Sequence, residues 1–174
     1  EMTSSLVGSE MCIRDRAIIY TYAANSNDLV TNIKYQDKNK LICMYDSSIH
    51  MIYNEIDENI MQLDENAKKA DIELENYIIK ATEQSSGLFS ADTNIEIKNI
   101  TSGKSIIYTI EGVAKSIYCR GETIAINIGS EVEFIHTNGW LIKRYKSLQE
   151  IKDVVLCEGA AAIVYRDKIE IVNL

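Results

Sequence analysis

The sequence predicts an all-β protein built as a partial β-propeller of about four four-stranded antiparallel blades, the last of them incomplete. Three observations support this prediction. A short strand motif recurs along the chain, a second branched apolar strand precedes each copy, and tight polar turns join the two strands in the last two copies. Four-stranded meanders that repeat at about 40 residues are typical of propeller blades.

The recurring motif has four successive positions. A branched residue comes first, the second position is commonly a glutamate, the third is commonly Phe or Ile, and the fourth is commonly another branched residue. Its four copies are Ile49–Tyr53, Ile95–Asn99, Val132–His136 and Ile169–Asn173. The first interval is longer than the other two, and a Gly- and Ser-containing insertion at Gln84–Asp92 explains the difference. Side chains alternate across a strand, so the apolar positions of the motif are predicted to seal one blade against the next.

The flanking strands complete each unit. An apolar strand precedes each copy, at Leu41–Tyr45, Tyr77–Ala81, Thr123–Ile128 and Ala161–Tyr165. A further strand opens each unit, at Leu29–Tyr35, Ala70–Leu74, Val113–Cys119 and Ile151–Leu156. Glycine-containing turns at 101–103 and 137–139 lead into outer strands at Lys104–Ile110 and Trp140–Tyr145.

The predicted blades span residues 29–63, 70–110, 113–145 and 151–174, and the last blade lacks an outer strand. The strand-like stretch Ala17–Ala23 is a candidate to supply that strand. Four blades lie at the small end of the usual ~4–8. We therefore expect a truncated larger propeller with open sheet edges.

One segment of the first predicted blade is ambiguous. Residues 55–69 carry apolar side chains at helical spacing, which indicates an amphipathic helix. The blade register requires an outer strand near Ile60–Leu63 instead. We favour the strand.

Residues 1–16 are predicted to be a non-native or disordered leader, and residues 17–174 the propeller fragment. The stretch Ser4–Arg16, SSLVGSEMCIRDR, resembles a translated sequencing adapter. It shows neither strand alternation nor a helical stripe, and it lacks the continuous apolar region of a signal peptide. On this interpretation the natural chain is cut before Ala17.

Composition argues against several function classes. The net charge is -8 at pH 7 and the chain has no basic run, so binding to nucleic acid or to an anionic membrane surface is not expected. No apolar stretch approaches the ~20 residues of a membrane-spanning helix.

The cysteines have no C-x-x-C spacing, which argues against a zinc knuckle or redox motif. Buried free thiols are expected, with a Cys119–Cys157 bridge as the alternative.

Side chains that carry chemistry are few and form no recognisable set. His50 and His136 are the only histidines, and they occupy positions of equivalent strands that point to opposite faces. A shared metal or a Ser/His/Asp triad is therefore not predicted. The stretch Thr101–Ser105 lacks the earlier glycine of a phosphate-binding loop. No catalytic residue, cofactor or metal site is assigned, and the protein is not expected to be an enzyme.

A glutamate recurs at one position of the motif, as Glu96, Glu133 and Glu170. A ring of carboxylates that binds a cation is one interpretation. The favoured one is a solvent-exposed partner of a cross-strand lysine, because a middle strand alternates its faces.

The best candidate contact surface consists of three apolar side chains. Leu88 and Phe89 lie at the tip of the predicted insertion, and Trp140 follows the turn at 137–139. Adjacent exposed apolar residues on a loop commonly mark a binding surface. Packing within the protein is the alternative for each of them.

The stretch that starts ENYIIKATEQ at Glu75 and ends in DKIEIVNL resembles an uncharacterised family of Gram-positive bacterial proteins, domain of unknown function 5711. The resemblance is to the carboxy-terminal half of that family and covers nearly all of Ala17–Leu174. It implies a propeller with quinoprotein- and WD-like blades, anchored outside the membrane by an N-terminal helix that is missing here. The family brings no established activity and no catalytic residues.

Together these observations predict a non-catalytic binding or scaffold module for an unknown protein or envelope polymer. The alternative is a quinoprotein- or hydrolase-like enzyme whose catalytic residues lie in missing blades. A third interpretation is a truncated gene product without a function of its own.

Overall fold

The computed structural model describes residues 29–37, 39–63, 69–72, 76–85 and 91–174. These residues form strands joined by turns and contain no helix, which confirms the predicted all-β class. The strands are β1 Val30–Asp37, β2 Lys40–Tyr45, β3 Ser48–Tyr53, β4 Ile56–Gln62, β5 Lys69–Ile72, β6 Tyr77–Ser85, β7 Ala91–Asn99, β8 Ser105–Glu111, β9 Ser116–Arg120, β10 Thr123–Asn127, β11 Glu131–His136, β12 Leu141–Lys146, β13 Asp153–Cys157, β14 Ala160–Val164 and β15 Ile169–Asn173.

The strands form four antiparallel sheets, each a meander of strands that are consecutive in sequence. Blade one is β1-β2-β3-β4, blade two is β5-β6-β7-β8 and blade three is β9-β10-β11-β12. Blade four is β13-β14-β15, with three strands in the described part of the chain. The first strands of blades two, three and four contact one another in succession, so these blades are arranged around a common side.

Apolar layers between neighbouring blades form the core, as the motif predicts. Blade two meets blade three through branched side chains that are less than 2% exposed, namely Ile79, Ile95, Ile97, Ile124, Ile126 and Ile135. Phe134 lies in the next layer, between blades three and four, with Val154 and Ile163. The motif strand β11 contributes to both layers because Ile135 and Phe134 point to opposite faces.

Polar contacts also join neighbouring blades. The guanidinium of Arg120 in blade three donates to the carbonyl of Leu156 in blade four at 2.9 Å. The ammonium of Lys98 in blade two donates to the carbonyl of Ile60 in blade one at 2.5 Å. These bonds satisfy carbonyls of neighbouring sheets and fix the lateral position of one blade on another.

The described part of the ambiguous segment, residues 55–63, contains the strand β4, so the helix alternative is wrong for these residues. Asn54 and Glu55 both have positive φ, 47° and 64°. Two consecutive residues in this conformation form the tight hairpin turn whose twist suits antiparallel strands. The turn pairs Tyr53 with Ile56 and carries the chain back along β3. Ile56 is exposed, so the helical spacing of apolar residues does not correspond to a buried stripe.

One face of blade four is exposed. Ile169 and Ile171 are 64% and 69% exposed. Their counterparts in blade two, Ile95 and Ile97, are buried because blade three packs over them. The leader 1–16 and the candidate strand Ala17–Ala23 lie outside the described residues.

We expect Phe134→Ala to lower the free energy of unfolding by about 3–5 kcal/mol, because it removes a fully buried ring and leaves a cavity between two blades. Urea denaturation measures the change. Ile107→Ala, at an exposed position of β8, is the control and should change the value by less than about 1 kcal/mol. Equal losses in the two variants would contradict a core located between blades.

Candidate functional site

Only one of the three predicted contact residues lies in the described part of the chain. Trp140 directly precedes β12, at the edge of blade three where the turn from β11 returns. Its side chain is 54% exposed. Leu88 and Phe89 fall in the segment 86–90, outside the described residues.

The indole of Trp140 is held from one side. It stacks on the imidazole of His136 with ring centroids 4.9 Å apart and planes 12° from parallel. The Nδ1 atom of His136 accepts the backbone N–H of Asn138 at 3.0 Å, and its Nε2 atom lies 3.3 Å from the carboxylate of Glu122. The result is a fixed aromatic platform at the surface.

The turn before Trp140 also fixes this platform against blade two. Gly139 has a φ of +82°, and a Cβ atom built on it would lie 3.0 Å from Cγ2 of Ile106 in β8. A larger residue would therefore strain the backbone and press on the neighbouring blade.

The recurrent glutamates differ in their surroundings, and the sequence prediction holds for only one of them. Glu96 lies opposite Lys80 on β6 and pairs with it at 3.0 Å, as predicted. Glu133 is buried, so its predicted exposure is wrong. The residue opposite it on β10 is Ile126, which offers no charge.

The side chains that bond to the Glu133 carboxylate lie on strands other than β10. Arg144 on β12 donates to one carboxylate oxygen at 2.7 Å, and the hydroxyl of Tyr108 donates to the other at 2.8 Å. Tyr108 belongs to β8 of the preceding blade, so the second bond crosses the blade interface. Desolvation, and then the bond to Glu133, raise the pKa of the Tyr108 hydroxyl.

The same arrangement recurs one blade later. Tyr145 on β12 donates to Glu170 of blade four, which also pairs with Lys168. The residue opposite Glu170 on β14 is Ile163, again without charge. The bond to Glu170 is the main reason why the pKa of Tyr145 is raised. We call the Tyr108–Glu133 and Tyr145–Glu170 bonds the Tyr–Glu contacts.

These pairings leave little support for a carboxylate ring. Each of the three glutamates is engaged by a cationic partner of its own blade. Within the described ranges, no group of three His, Cys, Asp or Glu side chains is placed to hold a metal ion.

Blade one contains an arrangement that the sequence analysis did not predict. The Nε2 atom of His50 lies 2.9 Å from the hydroxyl of Ser48, and its Nδ1 atom lies 2.7 Å from the carboxylate of Asp57. This is the connectivity of a Ser/His/Asp triad. Ser48 is only 4% exposed, however, which limits access to its hydroxyl. His136 lies in blade three, so the two histidines are not brought together.

The sequence contains a signal for the arrangement of Ser48, His50 and Asp57, although the sequence analysis did not predict it. Ser48 and His50 are two residues apart on one strand and therefore share a face. The turn at Asn54-Glu55 then brings Asp57 to the neighbouring strand, opposite Ile52 and next to His50. Assigning residues 55–62 firmly to a strand would have placed all three side chains on one face.

The cysteines in the described part of the chain are free. Cys43 and Cys119 are buried, as predicted, whereas Cys157 is exposed, contrary to the prediction. The Cys119–Cys157 bridge is not formed. Desolvation is the main reason why the pKa of the Cys43 thiol is raised, so this thiol is not activated as a nucleophile.

An open hollow of about 540 Å³ lies beside the connection from blade three to blade four, lined by Gln149, Glu150, Lys152, Arg166 and Asp167. Glu150 pairs with Lys115 at 2.8 Å and with Lys152 at 2.5 Å. These hydrogen bonds lower the pKa of Glu150 to about 2. Because opposite charges already neutralise each other, the hollow has no excess charge of one sign to select an ion.

Comparison with solved structures supports the fold directly. Hsv2 of Kluyveromyces lactis superposes with a TM-score of 0.55 at 14% identity, over 85% of this chain and 46% of that one. Hsv2 of Kluyveromyces marxianus gives 0.54 at 16% identity, over 85% and 49%. The four antiparallel meanders and the superposition on the two Hsv2 chains support the fold of a partial β-propeller.

The chain spans about half the length of the Hsv2 chains that it matches. At these identities the likeness concerns the fold alone. No family profile matches the sequence, and no curated protein is similar to it. In the described ranges, no helix has the length and apolar character needed to cross a bilayer.

We expect Tyr108→Phe to lower the free energy of unfolding by about 1–2 kcal/mol, since it leaves one oxygen of the buried Glu133 carboxylate without its donor. Urea denaturation at pH 7 measures the loss. Tyr35→Phe removes a hydroxyl from an exposed ring of blade one and should leave the value unchanged within about 0.5 kcal/mol. An unchanged free energy of unfolding in Tyr108→Phe would show that the Tyr108–Glu133 bond contributes no stability.

Proposed function

We propose that this chain is a non-catalytic β-propeller module that binds an envelope polymer or a protein and serves as a scaffold. The observation that carries the proposal is the exposed indole of Trp140 on the fixed imidazole of His136. The contact with His136 restricts the conformations of the Trp140 side chain before any ligand binds. Little further conformational entropy is therefore lost when a ligand stacks on the indole.

The chemistry of the platform favours a polymer with flat apolar faces and surrounding hydroxyl groups, such as the sugar rings of a cell-wall glycan. An indole offers a large apolar area to such a ring. The carboxylate of Glu122, 70% exposed beside His136, is an acceptor for hydroxyl groups. A glycan satisfies both features of the surface.

The proposal extends to location. The resemblance to domain of unknown function 5711 supports a place on the outer side of a bacterial membrane, in a longer protein with further blades and an N-terminal membrane helix. A propeller is suited to such a role because its blades present many loops at two edges.

We expect Trp140→Ala to weaken binding to insoluble cell-wall glycan at least about tenfold, because it removes the stacking surface. Sedimentation of the chain with purified glycan measures the affinity. Leu148→Ala is the matched control, since Leu148 is fully exposed and follows the opposite end of β12. Equal binding by the two variants would refute the platform as the binding site.

A second candidate function is ester or peptide hydrolysis at Ser48, favoured by its distances to His50 and by the bond from His50 to Asp57. With the Nδ1 proton directed to Asp57, Nε2 can accept the proton of the Ser48 hydroxyl. Movement of the covering residues would have to expose the serine, since it is 4% exposed.

We expect no turnover of p-nitrophenyl acetate above that of a Ser48→Ala control, because the serine is buried. Labelling with a fluorophosphonate probe checks the same serine independently. Turnover and labelling that both disappear in Ser48→Ala would establish the hydrolase and overturn the non-catalytic proposal.

A further inference from the structure

The aromatic platform formed by Trp140 and His136 has a carboxylate at its rim. The Nε2 atom of His136 lies 3.3 Å from a carboxylate oxygen of Glu122, which belongs to the turn between β9 and β10. The backbone fixes this turn beside the platform, since the N–H of Thr137 donates to the carbonyl of Glu122 at 2.9 Å. The carboxylate is 70% exposed, so a ligand on the indole can also reach it.

The imidazole beside this carboxylate is neutral in the observed arrangement. A backbone N–H can only donate, so the bond of 3.0 Å from Asn138 to the Nδ1 atom of His136 requires an Nδ1 without a proton. A neutral imidazole carries its one proton on the other nitrogen. This tautomer, assigned from the hydrogen bonds, makes Nε2 the donor to Glu122. The negative charge of the carboxylate is therefore not compensated by its neighbour.

This uncompensated charge distinguishes Glu122 from the glutamates described above. Glu96, Glu133, Glu150 and Glu170 each pair with a lysine or an arginine. Among the described residues, no lysine or arginine lies within ion-pair distance of Glu122. An exposed carboxylate without a cation is common on protein surfaces. Beside a fixed aromatic ring, however, it gives the aromatic surface a preference for positive charge.

The platform thus combines two groups that recognise a cation. The face of an indole attracts positive charge through its quadrupole, and this attraction adds to the apolar contact of stacking. A carboxylate binds the same charge through a charge-assisted hydrogen bond. A neutral hydroxyl group gains neither the cation–π attraction nor the ion pair. A stacked ligand that carries an ammonium group therefore fits the surface better than a neutral one.

The shape of the platform selects the kind of cation. The rings of Trp140 and His136 lie 12° from parallel with centroids 4.9 Å apart, so the indole is presented as a fixed flat surface. The apolar face of a sugar ring matches this surface, whereas the alkyl chain of a lysine is narrow and loses rotamer freedom on binding. An amino group attached to a sugar ring is positioned as soon as the ring stacks.

We propose that the platform binds a glycan whose sugar rings carry free amino groups, with a ring stacked on Trp140 and its ammonium group paired with Glu122. The inference rests on the proposed function, because it names the class of glycan that the platform selects. The net charge of -8 acts in the same direction, since it attracts a polycation from a distance. An N-acetylated glycan of the same linkage stacks equally well but lacks the charge.

Titration with two soluble sugars tests the proposal. The ligands are the tetrasaccharides of glucosamine and of N-acetylglucosamine, in a buffer slightly below pH 7 that keeps the free amino groups protonated. Trp140 is the one tryptophan of the chain, so its fluorescence reports binding at the platform. We expect the glucosamine tetramer to bind about tenfold more tightly, because the cation–π attraction and the exposed ion pair each contribute a factor of a few.

Two variants separate the ion pair from a general attraction of opposite charges. Glu122→Gln removes the charge at the platform but keeps an acceptor for His136, and it should reduce the preference to about threefold or less. Glu111→Gln is the matched control, because Glu111 is exposed at the end of β8 away from the platform. It should leave the preference unchanged. Near-ultraviolet circular dichroism of Trp140 checks that the stack persists in both variants.

The outcomes distinguish this inference from the proposed function. Equal binding of the two tetrasaccharides, or an equal preference in Glu122→Gln and Glu111→Gln, would overturn the amino-sugar inference and leave the platform a glycan site. Binding of neither tetrasaccharide would overturn the glycan-binding function together with the inference. Tetralysine that competes as strongly as the glucosamine tetramer would show that the platform accepts any flexible cation, which also overturns the inference.

Discussion

A sheet with two apolar faces cannot hide both of them by itself, and this constraint governs the whole arrangement. β11 illustrates it, since Ile135 is buried against blade two and Phe134 against blade four. Each blade therefore needs a blade on either side. The face of blade four that carries Ile169 and Ile171 shows the state of a blade when that requirement is not met.

The Tyr–Glu contacts follow from the same constraint. A glutamate on a packing face loses water and needs partners that can reach it there. Where Lys80 lies opposite on the middle strand, Glu96 finds one within its own blade. Where Ile126 or Ile163 lies opposite, a tyrosine of the preceding blade supplies a donor. β4, the strand of blade one that corresponds to β8 and β12, carries no tyrosine that could donate to Glu96.

The order of strands could be read from the sequence because the alternation along β7, β11 and β15 is a local signal. The partners of Glu133 could not be read from the sequence. They depend on which blade packs against β11 and on the position of that blade along the strand. Tyr108 is 25 residues away in sequence and lies in another sheet. The site at Trp140 was predicted as a surface residue, but its stacking on His136 depends on a turn geometry that only the fold reveals. The Ser48–His50–Asp57 arrangement was missed because the neighbouring strand was still ambiguous.

The Tyr–Glu contacts also define which piece of the chain behaves as an exchangeable module. The tyrosine stands on the last strand of one blade and the glutamate on the third strand of the next, so cutting at sheet boundaries separates the two partners. In a recombinant array assembled from whole sheets, each new junction would place a tyrosine against the third strand of a blade that it does not meet in this protein. An array cut just before the fourth strand would keep each pair together and transplant the interface as a unit.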